Sequence, residues 1–111
     1  MAGKFEIYKD RGGKFRFRLK SGNGEIVLAS QGYASKAGCK NGVASVQKNC
    51  ATASCFDKKT AKNGFRFNLK AMNGQVIGTS ETYTTEKACD NGIAAVGRAA
   101  KGAKVVDTTA S

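Results

Sequence analysis

The chain matches itself when it is shifted by fifty positions, and this internal repeat constrains its fold more than any other feature. Residues 15–20, Phe-Arg-Phe-Arg-Leu-Lys, lie over residues 65–70, Phe-Arg-Phe-Asn-Leu-Lys. Residues 39–46, Cys-Lys-Asn-Gly-Val-Ala-Ser-Val, lie over residues 89–96, Cys-Asp-Asn-Gly-Ile-Ala-Ala-Val. No gap is needed across this stretch, so a duplicated structural unit explains it better than chance does.

Each unit predicts three strands, which in the first copy lie at 4–9, 15–20 and 25–30. Phe15, Phe17 and Leu19 alternate with cationic residues, which is typical of a strand with one buried and one solvated face. Asn23-Gly24 predicts a hairpin turn, because this pair readily supplies positive φ angles.

A helix follows the third strand, from about Ser35, the candidate N-cap, to Asn49. The spacing i, i+4, i+7, i+11 places four apolar residues on one helical stripe, namely Cys39, Val43, Val46 and Cys50. The second copy repeats this stripe with a cap at Thr84 or Thr85, and its members are Cys89, Ile93 and Val96.

A glycine lies inside each predicted helix, Gly42 in the first and Gly92 in the second, and each costs about 1 kcal/mol of helix stability relative to alanine. Close approach of each helix to a neighbouring element explains them best, and an exposed glycine patch that approaches a ligand is the alternative.

These elements predict an α+β fold in the order βββα-βββα-β, a tandem repeat with a final strand. One unit is too small to bury a stable core alone, so the two units should share one mainly antiparallel sheet. Both helices should pack on its phenylalanine-rich face, related by a pseudo-twofold axis, and the strand after each helix should cross to the other unit. We therefore expect a single domain over 1–111, built from units at about 3–53 and 54–107, with residues 108–111 frayed.

The four cysteines, at 39, 50, 55 and 89, have no zinc-site spacing, and the chain has no histidine. Buried thiols are the favoured interpretation, whereas a Cys50–Cys55 bridge is geometrically feasible but disfavoured in a reducing compartment. We find no stretch that predicts a signal peptide or a membrane span, and we expect a cytoplasmic protein without metal or cofactor.

The absence of histidine also removes the usual general base near neutral pH. The eight acidic residues form no paired-carboxylate motif, and no phosphate-binding loop or nucleophile elbow occurs. Glu81, Glu86 and Asp90 flank the start of the second helix, where negative charge suits the helix dipole better than catalysis. The sequence indicates that the protein is not an enzyme and has no catalytic residues.

The formal net charge of +11 favours an anionic partner such as a nucleic acid or an acidic protein. Basic side chains on equivalent strands should project from one side of the sheet, and they are Arg16, Arg18, Lys20, Arg66 and Lys70. If the two strands are neighbours, these five charges line one surface suited to weak anion binding. A merely solvated face is the bland alternative, and a protein-interaction or self-association module, monomeric or weakly dimeric, is the second function considered.

The whole chain resembles the YegP-like family of small bacterial proteins, a domain of unknown function. The resemblance rests on Gly-Lys-Phe-Glu-Ile-Tyr-Lys-Asp (3–10), Phe-Arg-Phe-Arg-Leu-Lys (15–20), Asn-Gly-Glu-Ile-Val-Leu-Ala-Ser-Gln-Gly-Tyr (23–33), Ser-Lys-Ala-Gly-Cys-Lys-Asn-Gly-Val-Ala-Ser-Val (35–46) and their second-unit copies. It implies a tandem βββα repeat that forms one sheet with exchange of the strands after the helices. It implies no activity, cofactor or catalytic residue.

Overall fold

Seven strands and two α-helices follow one another in the order βββα-βββα-β in the computed structural model, which describes residues 3–109. The elements are β1 (Lys4–Lys9), β2 (Phe15–Lys20), β3 (Ile26–Ala29), α1 (Lys36–Asn49), β4 (Phe56–Ala61), β5 (Gly64–Lys70), β6 (Val76–Thr79), α2 (Glu86–Ala100) and β7 (Lys104–Asp107). A short 3-10 helix, Ala53–Cys55, precedes β4. The α+β class and the tandem arrangement predicted from the sequence are confirmed.

One sheet joins the two units, with the strand order β4-β5-β6-β3-β2-β1-β7. Neighbouring strands are antiparallel except β1 and β7, which are parallel. The halves meet at β3 and β6, where Ala29 pairs with Thr79, and the pseudo-twofold axis passes through this junction. The side chain of Gln31 also crosses it by donating to the Val76 carbonyl at 2.9 Å.

The hydrophobic core lies between one face of this sheet and both helices. Phe5, Phe17 and Phe67 have no exposed surface, and they pack with the apolar stripes of α1 and α2. Phe17 stacks on Tyr33 with ring centroids 6.3 Å apart, and Phe67 stacks on Tyr83 at 6.4 Å. The prediction that the phenylalanines share an interior beneath both helices is therefore confirmed.

The helix starts follow directly from the capping residues in the sequence. The Ser35 hydroxyl accepts a hydrogen bond from the Gly38 N–H at 3.0 Å, and the Thr85 hydroxyl accepts one from Ala88 at the same distance. Each bond satisfies a backbone donor that has no partner within the helix. Of the two candidate caps in the second unit, Thr85 is the one used.

Gly42 and Gly92 are buried where each helix crosses a tyrosine of its own unit. A Cβ atom at Gly42 would lie 2.5 Å from the Tyr33 hydroxyl oxygen and 2.9 Å from a Phe17 ring carbon. At Gly92 it would lie 2.7 Å from the Tyr83 ring carbon that bears the hydroxyl. Close packing therefore accounts for both glycines, and the alternative of an exposed glycine patch is wrong.

The strands that follow the helices differ in their pairing. β7 crosses to the first unit and runs beside β1, with Val105 in register with Phe5. β4 instead pairs with β5 of its own unit, so the predicted crossing to the other unit is correct only for the strand after α2.

Beyond β7, the Thr108 N–H and hydroxyl both donate to the Ile7 carbonyl, at 2.9 and 2.7 Å. The end of the tail expected to fray, residues 110 and 111, lies outside the described residues.

All four cysteines are buried and free, as the sequence led us to expect. Burial raises the pKa of Cys39, Cys50 and Cys89, which keeps these thiols protonated near neutral pH. No helix of the described chain is both long enough and apolar enough to span a bilayer.

Candidate anion-binding surface

The sheet face opposite the helices, called the open face below, carries the five basic residues singled out from the sequence. They lie on β2 and β5, where they alternate with the fully buried Phe17, Leu19, Phe67 and Leu69. The prediction that the five side chains share one side of the sheet agrees with this register. No other element among residues 3–109 is layered on this face, since both helices pack on the opposite side.

The two groups of charges are not adjacent, however. β3 and β6 lie between β2 and β5, so three strand spacings of about 4.8 Å each separate the groups by roughly 14 Å. The condition under which the five charges were expected to line one surface, that β2 and β5 are neighbours, is therefore not met. It fails because the units join through their third strands, a long-range pairing that the local alternation of residues does not encode.

The first group, called the β2 cluster, consists of Arg16, Arg18 and Lys20, of which Arg18 and Lys20 bind the buried carboxylate of Glu6. Arg18 Nε donates to Glu6 Oε1 at 2.8 Å, and Lys20 Nζ lies 3.2 Å from the same oxygen. Lys4 Nζ lies 3.3 Å from Glu6 Oε2. The Arg18 hydrogen bond, supported by the two lysines, lowers the pKa of Glu6 to about 2. One negative charge thus holds three cations and leaves a local positive excess.

The remaining contacts of the β2 cluster fix its two guanidinium groups. Arg16 Nε donates to Asp10 Oδ2 at 2.6 Å, and this bond lowers the pKa of Asp10. The Arg18 guanidinium also lies 4.8 Å from the centroid of the Tyr8 ring. Tyr8 is half-buried beneath this cation.

The second group, called the β5 cluster, consists of Arg66 and Lys70 and has fewer acidic partners. Lys70 and Lys59 each place Nζ 3.1 Å from Asp57 Oδ2, and their hydrogen bonds lower the pKa of Asp57. Arg66 is exposed and has no carboxylate within 4 Å among the residues that the structure describes. Its position corresponds to Arg16, but Ala61 on β4 stands where Asp10 stands beside Arg16.

Asn68 of the second unit occupies the position that Arg18 has in the first unit. Its side-chain oxygen accepts a hydrogen bond from the Thr79 hydroxyl at 3.0 Å. Across the middle of the open face, Asn68 pairs with Thr79 and Thr79 pairs with Ala29, and all three side chains are uncharged. This uncharged strip separates the two clusters.

Three basic residues of the open face were missed from the sequence, namely Lys4, Lys59 and Lys104. Lys4 and Lys104 are in register on β1 and β7, and Lys59 pairs with Arg66 across β4 and β5. The signal for Lys59 was present, since it shares its alternation with Asp57 and not with Phe56. The place of Lys104 on the open face could not be predicted, because it depends on the pairing of β7 with β1 of the first unit.

The acidic residues near the start of α2 have a structural use. Lys58 Nζ lies 3.0 Å from Glu86 Oε2 and 2.9 Å from Asp90 Oδ1, and these bonds raise the pKa of Lys58. Within residues 3–109, no three histidine, cysteine or acidic side chains converge on a point that would hold a metal ion.

Comparison with known proteins places the chain in a family. The family model described as "Domain of unknown function (DUF1508)" matches residues 10–57 and again residues 61–107. The chain therefore belongs to the DUF1508 family and carries the family's domain twice. This agrees with the resemblance to YegP-like proteins drawn from the sequence, which is confirmed.

Two relatives and one solved structure show the extent of the similarity. The chain is 61% identical over 54 residues to a UPF0339 protein of Treponema denticola, a match covering 49% of this chain and 93% of that protein. It is 52% identical over 61 residues to a Stutzerimonas stutzeri protein described as "UPF0339 protein in ptx operon 5'region", covering 55% of each. The solution NMR structure of Escherichia coli YegP, a protein of unknown function, superposes with a TM-score of 0.92 at 46% identity, covering 97% of this chain and 94% of that one.

Proposed function

We propose that this protein is a non-catalytic module that binds an anionic partner, such as a nucleic acid, weakly through the open face of its sheet. The observation that supports the proposal is the charge of that face. Within residues 3–109, the strands of that face carry eight basic side chains, and the carboxylates that pair with them are those of Glu6, Asp10 and Asp57. The eight are Lys4, Arg16, Arg18, Lys20, Lys59, Arg66, Lys70 and Lys104. Four free, buried cysteines fit the cytoplasmic location included in the proposal.

The spacing of the clusters favours a partner whose charges are distributed along its length. Two cationic groups roughly 14 Å apart, with an uncharged strip between them, cannot converge on one small anion. A flexible polyanion reaches both. The half-buried Tyr8 under Arg18 offers little aromatic surface for base stacking, so binding should depend on phosphate charge and not on base identity.

Fluorescence anisotropy with labelled single-stranded DNA and RNA tests this proposal. If about four phosphates are neutralised, affinity should fall roughly 50-fold when salt rises from about 50 to 200 mM. Arg66→Glu, which reverses an exposed charge without breaking an ion pair of the described chain, should weaken binding about tenfold.

Lys40→Glu provides the matched control, because it makes the same charge change at an exposed position of α1, away from the open face. It should alter affinity less than about twofold. An absence of binding at low salt contradicts the proposal, and so do equal losses for the two variants. If the protein binds polyglutamate more tightly than both nucleic acids, the partner of the open face is an acidic protein and not a nucleic acid.

A further inference from the structure

The two edges of the sheet, β4 and β7, differ in what they offer a partner. Each has backbone N–H and C=O groups on its outer side, where a further strand can pair. β7 has four residues and β4 has six. In the first unit β1 is covered by β7, whereas β4, its counterpart in the second unit, is itself the edge.

The hairpin between β4 and β5 fixes which backbone groups of β4 face outward. Ala61 pairs with Gly64 across a two-residue turn, so this pair and every second pair after it exchange backbone hydrogen bonds within the hairpin. The intervening residues, Phe56, Lys58 and Thr60, direct their N–H and C=O groups to the free edge. These three residues can form a regular antiparallel ladder with another strand.

The side chains of β4 are complementary to those of a second β4 in one antiparallel register. Pairing centred on Lys58 places Asp57 of each copy opposite Lys59 of the other on the open face, giving two ion pairs. Centring the pair on Asp57 sets two carboxylates against each other, and centring it on Lys59 sets two ammonium groups against each other. Charge therefore selects one register.

The positive charge of Lys58, the residue at the centre of that register, is compensated by acidic side chains of its own chain. Two Lys58 side chains would face each other on the helix side, but each carries the Glu86 and Asp90 carboxylates within 3.0 Å. Four carboxylates around two ammonium groups remove the repulsion that would otherwise oppose the contact.

The β7 edge has no equivalent complementarity. In an antiparallel pair of β7 strands, side chains of the open face must lie opposite side chains of the same face. Lys104 can then lie opposite Val106 or Thr108 of a second copy, and neither is acidic. Charge and strand length thus distinguish β4 from β7 as a surface for self-association.

We propose that the outer edge of β4 is a homodimer interface, in which two copies of this chain join their sheets antiparallel about Lys58. Strand addition buries little side-chain surface, so the dissociation constant should be on the order of 0.1–1 mM. The inference does not require anion binding, because the backbone pairing lies at the edge of the sheet, although Asp57 and Lys59 also belong to the open face.

Sedimentation equilibrium of nucleic-acid-free protein from about 10 µM to 1 mM tests the interface. The wild-type chain should show a rising average mass. Lys59→Glu should raise the dimer dissociation constant about tenfold, because it sets two acids opposite each other in both pairs. The exchange of both charges, Asp57→Lys with Lys59→Asp, should restore association to within about threefold of the wild type.

Two further variants separate the edge from general charge effects. Lys104→Glu makes the same charge change on β7 and should leave dimerisation unchanged. Thr60→Pro removes an outward N–H without touching the bonds to β5, and should abolish dimerisation while the far-ultraviolet circular dichroism persists. A wild-type chain that stays monomeric at 1 mM, or equal effects of Lys104→Glu and Lys59→Glu, overturns the proposal.

Discussion

Two glycines in helix interiors show how a single residue can be favourable in packing although it is unfavourable for the helix. Gly42 and Gly92 allow α1 and α2 to lie directly on Tyr33 and Tyr83, whose rings stack in turn on core phenylalanines. The helix propensity lost, about 1 kcal/mol at each position, is smaller than the cost of forcing a methyl group into that contact.

We expect Gly92→Ala to lower the free energy of unfolding by about 1–3 kcal/mol, since its Cβ would lie 2.7 Å from the Tyr83 ring. Gly97 is the matched control, in the same helix, with its nearest neighbour, the Cys50 carbonyl oxygen, 3.4 Å from an added Cβ. Gly97→Ala should be neutral or stabilising by up to about 1 kcal/mol. Urea unfolding followed by circular dichroism measures both, and equal effects would disprove the packing explanation.

At the scale of elements, each half of the open face is organised by one carboxylate on the strand beside its basic strand. Glu6 on β1 binds Arg18 and Lys20 of the β2 cluster, and Asp57 on β4 binds Lys59 and Lys70. The two acids occupy equivalent places, since Glu6 is in register with Arg18 and Asp57 with Asn68. These cross-strand pairs hold the cationic side chains in place without neutralising the face.

The Glu6 contacts predict a specific pH dependence. Because folding lowers the pKa of Glu6 from 4.5 to about 2, its ionised form stabilises the protein above pH 4.5 and loses this effect as the pH falls towards 2. Glu6→Gln should therefore cost about 1–2 kcal/mol at pH 7, and the difference from wild type should vanish near pH 2. Unfolding at several pH values tests this.

Glu25→Gln serves as the control in the same experiments, since Glu25 is exposed in the turn before β3 and forms no ion pair within the described chain. It should change stability by less than about 0.5 kcal/mol at either pH. A Glu6→Gln effect that persists unchanged near pH 2 would show that packing, and not the charge, is responsible.

The whole molecule has one core that neither unit can complete. α1 packs on β5 and β6 as well as on β2, and α2 packs on β1, β2 and β3 as well as on β5. Gly78 of β6 lies against Leu28 of β3, where a Cβ would approach Leu28 to 2.7 Å. Each helix therefore buries part of its apolar stripe on strands of the other unit.

We expect fragments 3–53 and 54–109 to lack cooperative unfolding as separate monomers, because each leaves half of a shared interior exposed. An equimolar mixture should recover the helical circular dichroism of the intact chain. Analytical ultracentrifugation of each fragment provides the control for self-pairing. A monomeric fragment that unfolds cooperatively would contradict the shared core.

The parts of this structure that local patterns encode could be predicted. The period-two alternation of residues 15–20 and 65–70 determines which side chains are buried, and Ser35 and Thr85 determine where the helices begin. The residues of the candidate surface and their common side follow from the same alternation. The separation of these residues into two clusters could not be predicted, because it depends on which strands become neighbours.

The sequence by itself determined the repeat, the seven strands and two helices, and the buried face of each, since backbone propensity and hydrophobic period act over a few residues. Only the tertiary structure decided that β3 meets β6, that β7 returns to β1 and that Arg66 lies more than 4 Å from every carboxylate of residues 3–109. These outcomes depend on contacts between residues far apart in the chain, whose energies are settled by the packing of the complete core.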